Sequence, residues 1–234
     1  EFVAGETLID HELDEDDIEN LLVEQIEYCT TIILNKIDQV SDEDKEKILK
    51  VIKTLQPEAK IIEASYGYVP VSEILDTHNF DYDKILNSPG WVKAMEGEEE
   101  NEDEGESEEY GISTFVYESL PPLDKQKFEN FVFAHYPKGV IRAKGLFWIT
   151  EAPDTAYIFE QSGKQKTATD DGKWIAAFPE AQRRQILAMN PDIAASWDEQ
   201  YGDRTNKIVF IGHNMDKEEI TKAIVNANSA ESNK

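Results

Sequence analysis

The tetrapeptide Asn35-Lys36-Ile37-Asp38 carries side chains that could read a guanine base. Guanine presents its N1–H and its exocyclic amine side by side, and the carboxylate of Asp38 could accept both hydrogen bonds. Adenine offers no such pair of donors, so a site built on these bonds would reject it. Asn35 could pin the loop, and the aliphatic stem of Lys36 could cover the face of the base. An ordinary strand-to-helix turn with polar residues is the alternative that this short string leaves open.

The elements around this loop predict where it lies. Residues 30–34 form an apolar run typical of a strand buried on both faces. Ser41, with Asp44 three residues later, indicates the start of a helix, and Lys60–Ala64 is predicted to be a second strand. A helix is also predicted at 14–28, with an apolar stripe of Ile18, Leu21, Leu22 and Ile26. The alternation of helix and strand predicts a parallel α/β sheet, in which ligands bind at the carboxyl ends of the strands.

A second loop starts at Ala64 and Ser65 and leaves the sheet at the same edge. Its backbone N–H groups could bind the guanine carbonyl oxygen and so complete the base pocket. The phosphate half of such a site is missing, because the sequence contains no Gly-x-x-x-x-Gly-Lys-Ser/Thr string. The nearest string, Ser162-Gly163-Lys164, is predicted to be a hairpin turn. We therefore expect the chain to begin downstream of the phosphate half and to be inactive in GTP hydrolysis by itself.

Ten of the fourteen residues from Glu96 to Glu109 are acidic, and none is basic. Such a run is too charged to fold by itself, so residues 95–110 are predicted to be a linker. A solvated spacer is favoured over a weak site for cations that prefer oxygen ligands. The linker separates residues 1–94, the α/β part, from residues 111–234. In this second part strands are joined by turns as well as by helices, which predicts an α+β domain.

The net charge of −26 and the single cysteine limit the classes of function. Nucleic-acid binding requires a basic surface that this chain lacks, so no nucleic-acid partner is expected. A lone Cys29 excludes an internal disulfide, which fits a reducing cytoplasm. No apolar run approaches the ~18 residues of a membrane helix, so no membrane partner is expected. The histidines have no Cys, His or carboxylate company at a recognised ligand spacing, and no metal ligands are predicted.

Arg142, Lys144 and Trp148 alternate along a predicted strand and therefore share one face. Two cations and a tryptophan on one face of an acidic protein could dock an acidic partner or the acidic linker. They could also pair with neighbouring carboxylates, and both interpretations stay open. Gly145 interrupts the other face of this strand, where we expect another backbone to approach closely.

Four segments follow one another in a fixed order along the chain. They are Thr31–Asp38, preceded by a helix with Gln25; Ala64–Val69; Arg142–Trp148, which reads Arg-x-Lys-Gly-x-x-Trp; and Phe210–Asp216, which begins Phe-x-Gly. Together they resemble the CobW-type P-loop GTPases, a group of GTP-dependent metallochaperones with a low-zinc-induced branch. The resemblance spans most of the chain, and it favours the guanine-reading interpretation of the first loop.

The resemblance implies GTP hydrolysis coupled to delivery of a metal, with zinc expected, to a metal-requiring client protein. It implies GTP and Mg²⁺ in the intact protein, and it places the phosphate loop and a Cys-x-Cys-Cys site for Zn²⁺ upstream of this chain. The His-rich stretch of many relatives is replaced here by the acidic run, which puts a zinc role for the linker in doubt. The base contacts would come from Asn35, Lys36, Asp38, Ala64 and Ser65, and residues 111–234 would form an interaction domain. The alternative is a non-enzymatic module that binds a client or partner without nucleotide.

Overall fold

A computed structural model describes residues 15–97 and 111–227 of the 234-residue chain, with side chains from residue 21 onward. The first of these ranges is a small parallel sheet with helices around it. Its elements are α1 (Glu15–Glu27), β1 (Thr31–Asn35), α2 (Asp42–Leu55), β2 (Lys60–Ala64), α3 (Tyr82–Asn87) and α4 (Gly90–Glu96), with 3₁₀ turns at Ile37–Gln39 and Val71–Glu73. Strands β1 and β2 pair in parallel along their whole lengths. The predicted α/β alternation is thereby confirmed.

Helix α2 begins where the sequence predicts. Ser41 is its N-cap, and the hydroxyl oxygen of Ser41 accepts a hydrogen bond from the backbone N–H of Asp44 at 3.1 Å. Three acidic residues in the first turn complement the positive end of the helix dipole. Ile52 and Leu55 are buried on its inner face. The helix ends two residues before Pro57, which could not donate the next backbone hydrogen bond.

Helix α1 buries a different face from the one that the apolar stripe predicts. Within that stripe, Leu21 and Leu22 are exposed, Ile26 is half-buried, and the side chain of Ile18 lies outside the described residues. Val23 packs inward, and Glu27 at the end of the helix is fully buried. Apolar residues lie on two sides of α1, and the sequence alone does not show which side meets a partner.

Residues 111–227 form an antiparallel sheet in which the five strands have the order β3-β7-β4-β5-β6. The elements are β3 (Ile112–Ser119), α5 (Lys125–Ala134), β4 (Val140–Phe147), β5 (Thr155–Ser162), β6 (Gln165–Lys173), α6 (Glu180–Met189), α7 (Pro191–Ala195), β7 (Asn206–His213) and α8 (Lys217–Val225), with a 3₁₀ turn at Ile175–Ala177. One face of the sheet carries a core rich in aromatic side chains, to which α5 contributes Phe128 and α8 contributes Ile220. The predicted α+β architecture is confirmed.

Strand β6 is not indicated by the sequence pattern. Its residues are mostly polar and exposed, so they show no alternation of apolar and polar side chains. The strand forms because it pairs with β5 across a tight turn at Gly163. The φ of Gly163 is +54°, a left-handed conformation that glycine adopts without steric cost. The hairpin predicted at this position is confirmed.

The other face of the five-stranded sheet is covered by the α/β part of the chain. Val209 and Ile211 of β7 form one apolar cluster with Leu55 of α2 and Ala94 of α4, and we call this cluster the apolar seam. The two parts of the chain therefore share a core. The boundaries at residues 94 and 111 stay predictions, and residues 98–110 of the predicted linker lie outside the described residues. Within residues 15–97 and 111–227, no helix combines the length and apolarity needed to cross a membrane.

Candidate nucleotide-base site

The two loops predicted to form a base pocket leave the parallel sheet side by side. Asn35 and Ala64 are the last residues of β1 and β2, and they lie opposite each other in the strand register. The side-chain oxygen of Asn35 accepts a hydrogen bond from the backbone N–H of Gly67 at 3.0 Å. The loop that begins after β1 is therefore tied to the loop that begins with Ser65.

The first loop turns sharply and leaves Lys36 and Asp38 in the open. Lys36 has φ 67° and ψ 28°, a left-handed conformation that is uncommon for a residue with a side chain. The backbone N–H of Gln39 closes the turn on the carbonyl oxygen of Lys36 at 3.0 Å. Asp38 lies in the 3₁₀ turn that follows, and both side chains are exposed. An aliphatic stem and a carboxylate are thus available on one turn to a planar base.

The second loop is equally tight. Ala64 is buried and Ser65 is half-buried, and the carbonyl oxygen of Ser65 accepts the N–H of Tyr68 at 3.0 Å. Tyr66 is also left-handed, at φ 55°, and its side chain is 89% exposed. Left-handed residues other than glycine cost about 1–2 kcal/mol each. Lys36 and Tyr66 both carry this conformational cost, and each is next in sequence to a residue of the hydrogen bond between Asn35 and Gly67. Strained residues of this kind cluster at functional sites.

A cavity of about 350 Å³ opens between the first loop and α2. Its lining consists of Leu34, Asn35, Lys36, Ile37, Gln39, Val40, Lys45 and Ile48. Asp38, Ala64 and Ser65 do not line it. The structure therefore brings Asn35 and Lys36 to this cavity and links Asn35 to the second loop, while Asp38 is exposed outside it.

A larger cavity, of about 420 Å³, lies at the opposite end of the parallel sheet, where Thr30 precedes β1 and Lys60 begins β2. Lys60 forms an ion pair with Glu73, and Lys84 forms one with Glu58. Two of the cations that line this cavity, Lys60 and Lys84, therefore already have carboxylate partners within the protein.

The three side chains predicted to form a docking face do not form one in the structure. Arg142 is 2% exposed, and its guanidinium binds both carboxylate oxygens of Glu27, at 2.8 and 3.0 Å. Trp148 is also buried, and its indole N–H donates to a backbone carbonyl at 3.0 Å. Lys144 pairs with Glu160 and lies 4.6 Å above the ring of Trp91. Because Arg142 and Trp148 are buried, they cannot contact another protein, and the predicted docking face is wrong. Arg142 and Lys144 instead pair with neighbouring carboxylates, which is the other interpretation that the sequence left open.

Two buried polar residues were not among the predicted site residues: Glu27, which binds Arg142 of the five-stranded sheet, and Gln56, which binds Glu27 and Ser88 within the α/β part. Glu27 and Gln56 are both 0% exposed. No motif identifies them, because their partners are distant in the sequence. Glu27 does follow Val23 by four residues, on the side of α1 that packs inward, and this helical spacing is the signal that points to its burial.

Family models match both parts of the chain. Residues 112–228 match the Cobalamin synthesis protein cobW C-terminal domain, and residues 3–63 match the CobW/HypB/UreG, nucleotide-binding domain. The second range includes the first loop and ends just before the second. The chain belongs to the CobW family, as the four ordered segments predict.

One curated relative is the Zinc-regulated GTPase metalloprotein activator 1 of Dictyostelium discoideum. It is 32% identical over 233 residues, which are 97% of this chain and 48% of the relative, so the chain spans about half of that protein's length. Solved structures of the Zn(II)-bound YjiA GTPase from E. coli and of a Zn(II)-bound triple mutant of YjiA are more remote. They are 16% and 18% identical, cover 92% and 91% of this chain and 57% of their own chains, and each gives a TM-score of 0.41.

Proposed function

We propose that this chain is the C-terminal portion of a GTP-dependent metal chaperone, with zinc as the metal and a metal-requiring protein as the client. The observation that carries the proposal is the loop Asn35–Asp38 at the carboxyl end of β1, tied to the second loop by the bond between Asn35 and Gly67. Membership of the CobW family and the name of the Dictyostelium discoideum relative, a zinc-regulated GTPase metalloprotein activator, support it.

In this proposal Asp38 accepts hydrogen bonds from the N1–H and exocyclic amine of guanine. The stem of Lys36 covers one face of the base. Asn35 holds the second loop, so that the backbone around Ala64 and Ser65 lies next to the guanine carbonyl oxygen. These contacts select GTP over ATP and position it, but they do not hold its phosphates.

The rest of the site would come from the longer protein. Among residues 15–97 and 111–227, no group of three or more His, Cys, Asp and Glu side chains is placed to hold a metal ion. These residues do not fit a Mg²⁺ or Zn²⁺ site, and we assign no metal-dependent step to them. The parallel sheet has only two strands within the described ranges, and Ile33 on β1 is 43% exposed. Parallel sheets are normally covered on both faces, so further structure against β1 fits this proposal.

Asp38→Asn in the full-length protein tests the role of the loop. The side-chain amide of Asn keeps an oxygen that can accept from N1–H, but its NH2 group would face the exocyclic amine of guanine, a donor against a donor. GTP affinity should therefore fall by about 100-fold, and the preference should move toward xanthosine triphosphate, which carries a carbonyl oxygen in place of that amine. Affinities for both nucleotides would be measured by titration calorimetry.

Asp42→Asn is the matched control, because Asp42 is an exposed acid four residues along the chain, in the first turn of α2. It should leave both affinities unchanged. An Asp38→Asn protein with the original preference for GTP would show that this carboxylate does not read the base.

A further inference from the structure

The loop Asn35–Asp38, which we call the base loop, lies between β1 and α2. At the opposite end of this strand–loop–helix unit the chain just before β1 meets the chain just after α2, and we call this end, at Glu27 and Gln56, the foot. Gln56, just after α2, donates its side-chain amide to the backbone carbonyl of Glu27, just before β1, at 2.5 Å. The same amide donates to the hydroxyl of Ser88 at 2.8 Å. Because Gln56 is fully buried, these bonds close the foot out of contact with water.

Arg142 reaches this foot from the C-terminal domain. Its Nε and Nη2 atoms donate to the two carboxylate oxygens of Glu27, at 2.8 and 3.0 Å. A two-pronged guanidinium–carboxylate contact fixes orientation as well as distance, which a single ammonium group could not do. Arg142 extends from β4 and is also held by β5, where Nη1 donates to the carbonyl oxygen of Gln161 at 3.5 Å and the Glu160 carboxylate lies 3.5 Å from Nη2. One side chain of the antiparallel sheet therefore holds the last residue of α1, four residues before β1 begins.

The energetics of this pair favour a role in geometry over a role in net stability. Glu27 and Arg142 are 0% and 2% exposed, and burying two charges removes hydration that their attraction roughly offsets. Burial raises the pKa of Glu27, and the Arg142 guanidinium opposes that change. The adjacent apolar seam already joins the two parts of the chain. Apolar contacts tolerate small sliding movements, whereas the forked ion pair does not.

We propose that Arg142 is a positioning residue for the base loop, acting through Glu27 and the foot of the β1–loop–α2 unit. The C-terminal domain is then a working part of the nucleotide site, although none of its residues touches the base. This inference rests on the proposed function. It also has a reciprocal consequence, because a contact that favours nucleotide binding must itself be favoured by the nucleotide.

The test uses the full-length protein and two ways of removing the two-pronged contact between Arg142 and Glu27, which we call the fork. Arg142→Lys keeps the positive charge and loses the second prong. The double variant Glu27→Met with Arg142→Met removes both charges and fills the space with apolar side chains, an exchange that proteins often tolerate without loss of stability. Ile220→Val is the control, because Ile220 is fully buried on the opposite face of the same sheet. GTP affinity and the unfolding midpoint in urea are measured for each.

We expect GTP affinity to fall by about 10-fold in both fork variants, including the double variant that keeps its unfolding midpoint. In the wild type, GTP should slow amide exchange in β4, and this effect should vanish in the double variant. Ile220→Val should lower the unfolding midpoint and change neither GTP affinity nor the effect of GTP on amide exchange in β4.

Wild-type GTP affinity in both fork variants, with folding intact, would overturn this inference. If Asp38→Asn still changed the base preference in that case, the proposed function would stand without it. A wild-type protein that binds no GTP would overturn both.

Discussion

Replacing Asn35 with alanine should release the second loop without disturbing the sheet beneath it. The side-chain oxygen of Asn35 accepts the backbone N–H of Gly67 at 3.0 Å, and both residues are exposed. The backbone of Asn35 stays paired with the end of β2 in the variant, because that pairing does not use its side chain. The change therefore removes one hydrogen bond between the two loops and little else.

The size of the effect follows from that single bond. A hydrogen bond of this kind contributes about 0.5–1.5 kcal/mol net, because water replaces it when it breaks. A loss of about 1 kcal/mol in the free energy of local opening multiplies the open population by about 5, and amide exchange is proportional to that population. The exchange rate of the Gly67 N–H should therefore rise about 5-fold.

Amide exchange followed by NMR on this 234-residue chain measures that rate directly, and it needs no nucleotide. Asn35→Asp is the matched control, because its carboxylate keeps an acceptor in the same position. In that variant the Gly67 rate should stay within about twofold of the wild-type rate. Equal Gly67 exchange in Asn35→Ala and the wild type would refute the proposed tie between the loops.

Two further predictions concern the interior. In Gly145→Ala the new Cβ would lie 2.1 Å from the carbonyl oxygen of Lys207 on β7, so the free energy of unfolding in urea should fall by about 3–5 kcal/mol; an unchanged value would contradict this packing. Burial raises the pKa of the Cys29 thiol, so less thiolate is present at a given pH. Its reaction with a thiol reagent should be slower than in the urea-unfolded chain and shift to higher pH, and equal rates would contradict the prediction.

Local sequence signals predict much of the fold because the responsible contacts are themselves local. The cap at Ser41 lies three residues from the N–H that it satisfies, and the turn at Gly163 joins two strands that are neighbours in sequence. The run at residues 30–34 indicates a strand from its own composition, but the predicted burial on both faces is not seen within the described residues, where Ile33 is 43% exposed. Gly145 belongs with these, because a glycine inside a strand already indicates that another backbone comes close.

The parts of the site that could not be predicted depend on distant partners. Arg142 and Glu27 are 115 positions apart, and nothing near Arg142 in the sequence shows that its partner lies inside the protein. Alternation correctly placed the side chains of β4 on two faces, but it could not tell a face that meets solvent from one that meets another part of the chain. The exposure of Leu21 has the same origin, since either side of α1 could have met the sheet.

The acidic composition of the chain bears on the role of the buried ion pair between Glu27 and Arg142. With 49 acidic and 23 basic side chains, this chain has an excess of carboxylates, and leaving them in water costs nothing in hydration. Glu27 is instead fully buried, and it is held by a guanidinium from the other part of the chain. A general need for stability does not explain that choice, because an apolar pair could fill the same space. A need to fix the angle between α1 and the five-stranded sheet does explain it, since a forked contact constrains orientation. If the proposed positioning role holds, residues 111–227 of this chain support the loop Asn35–Asp38 as well as forming a domain in their own right.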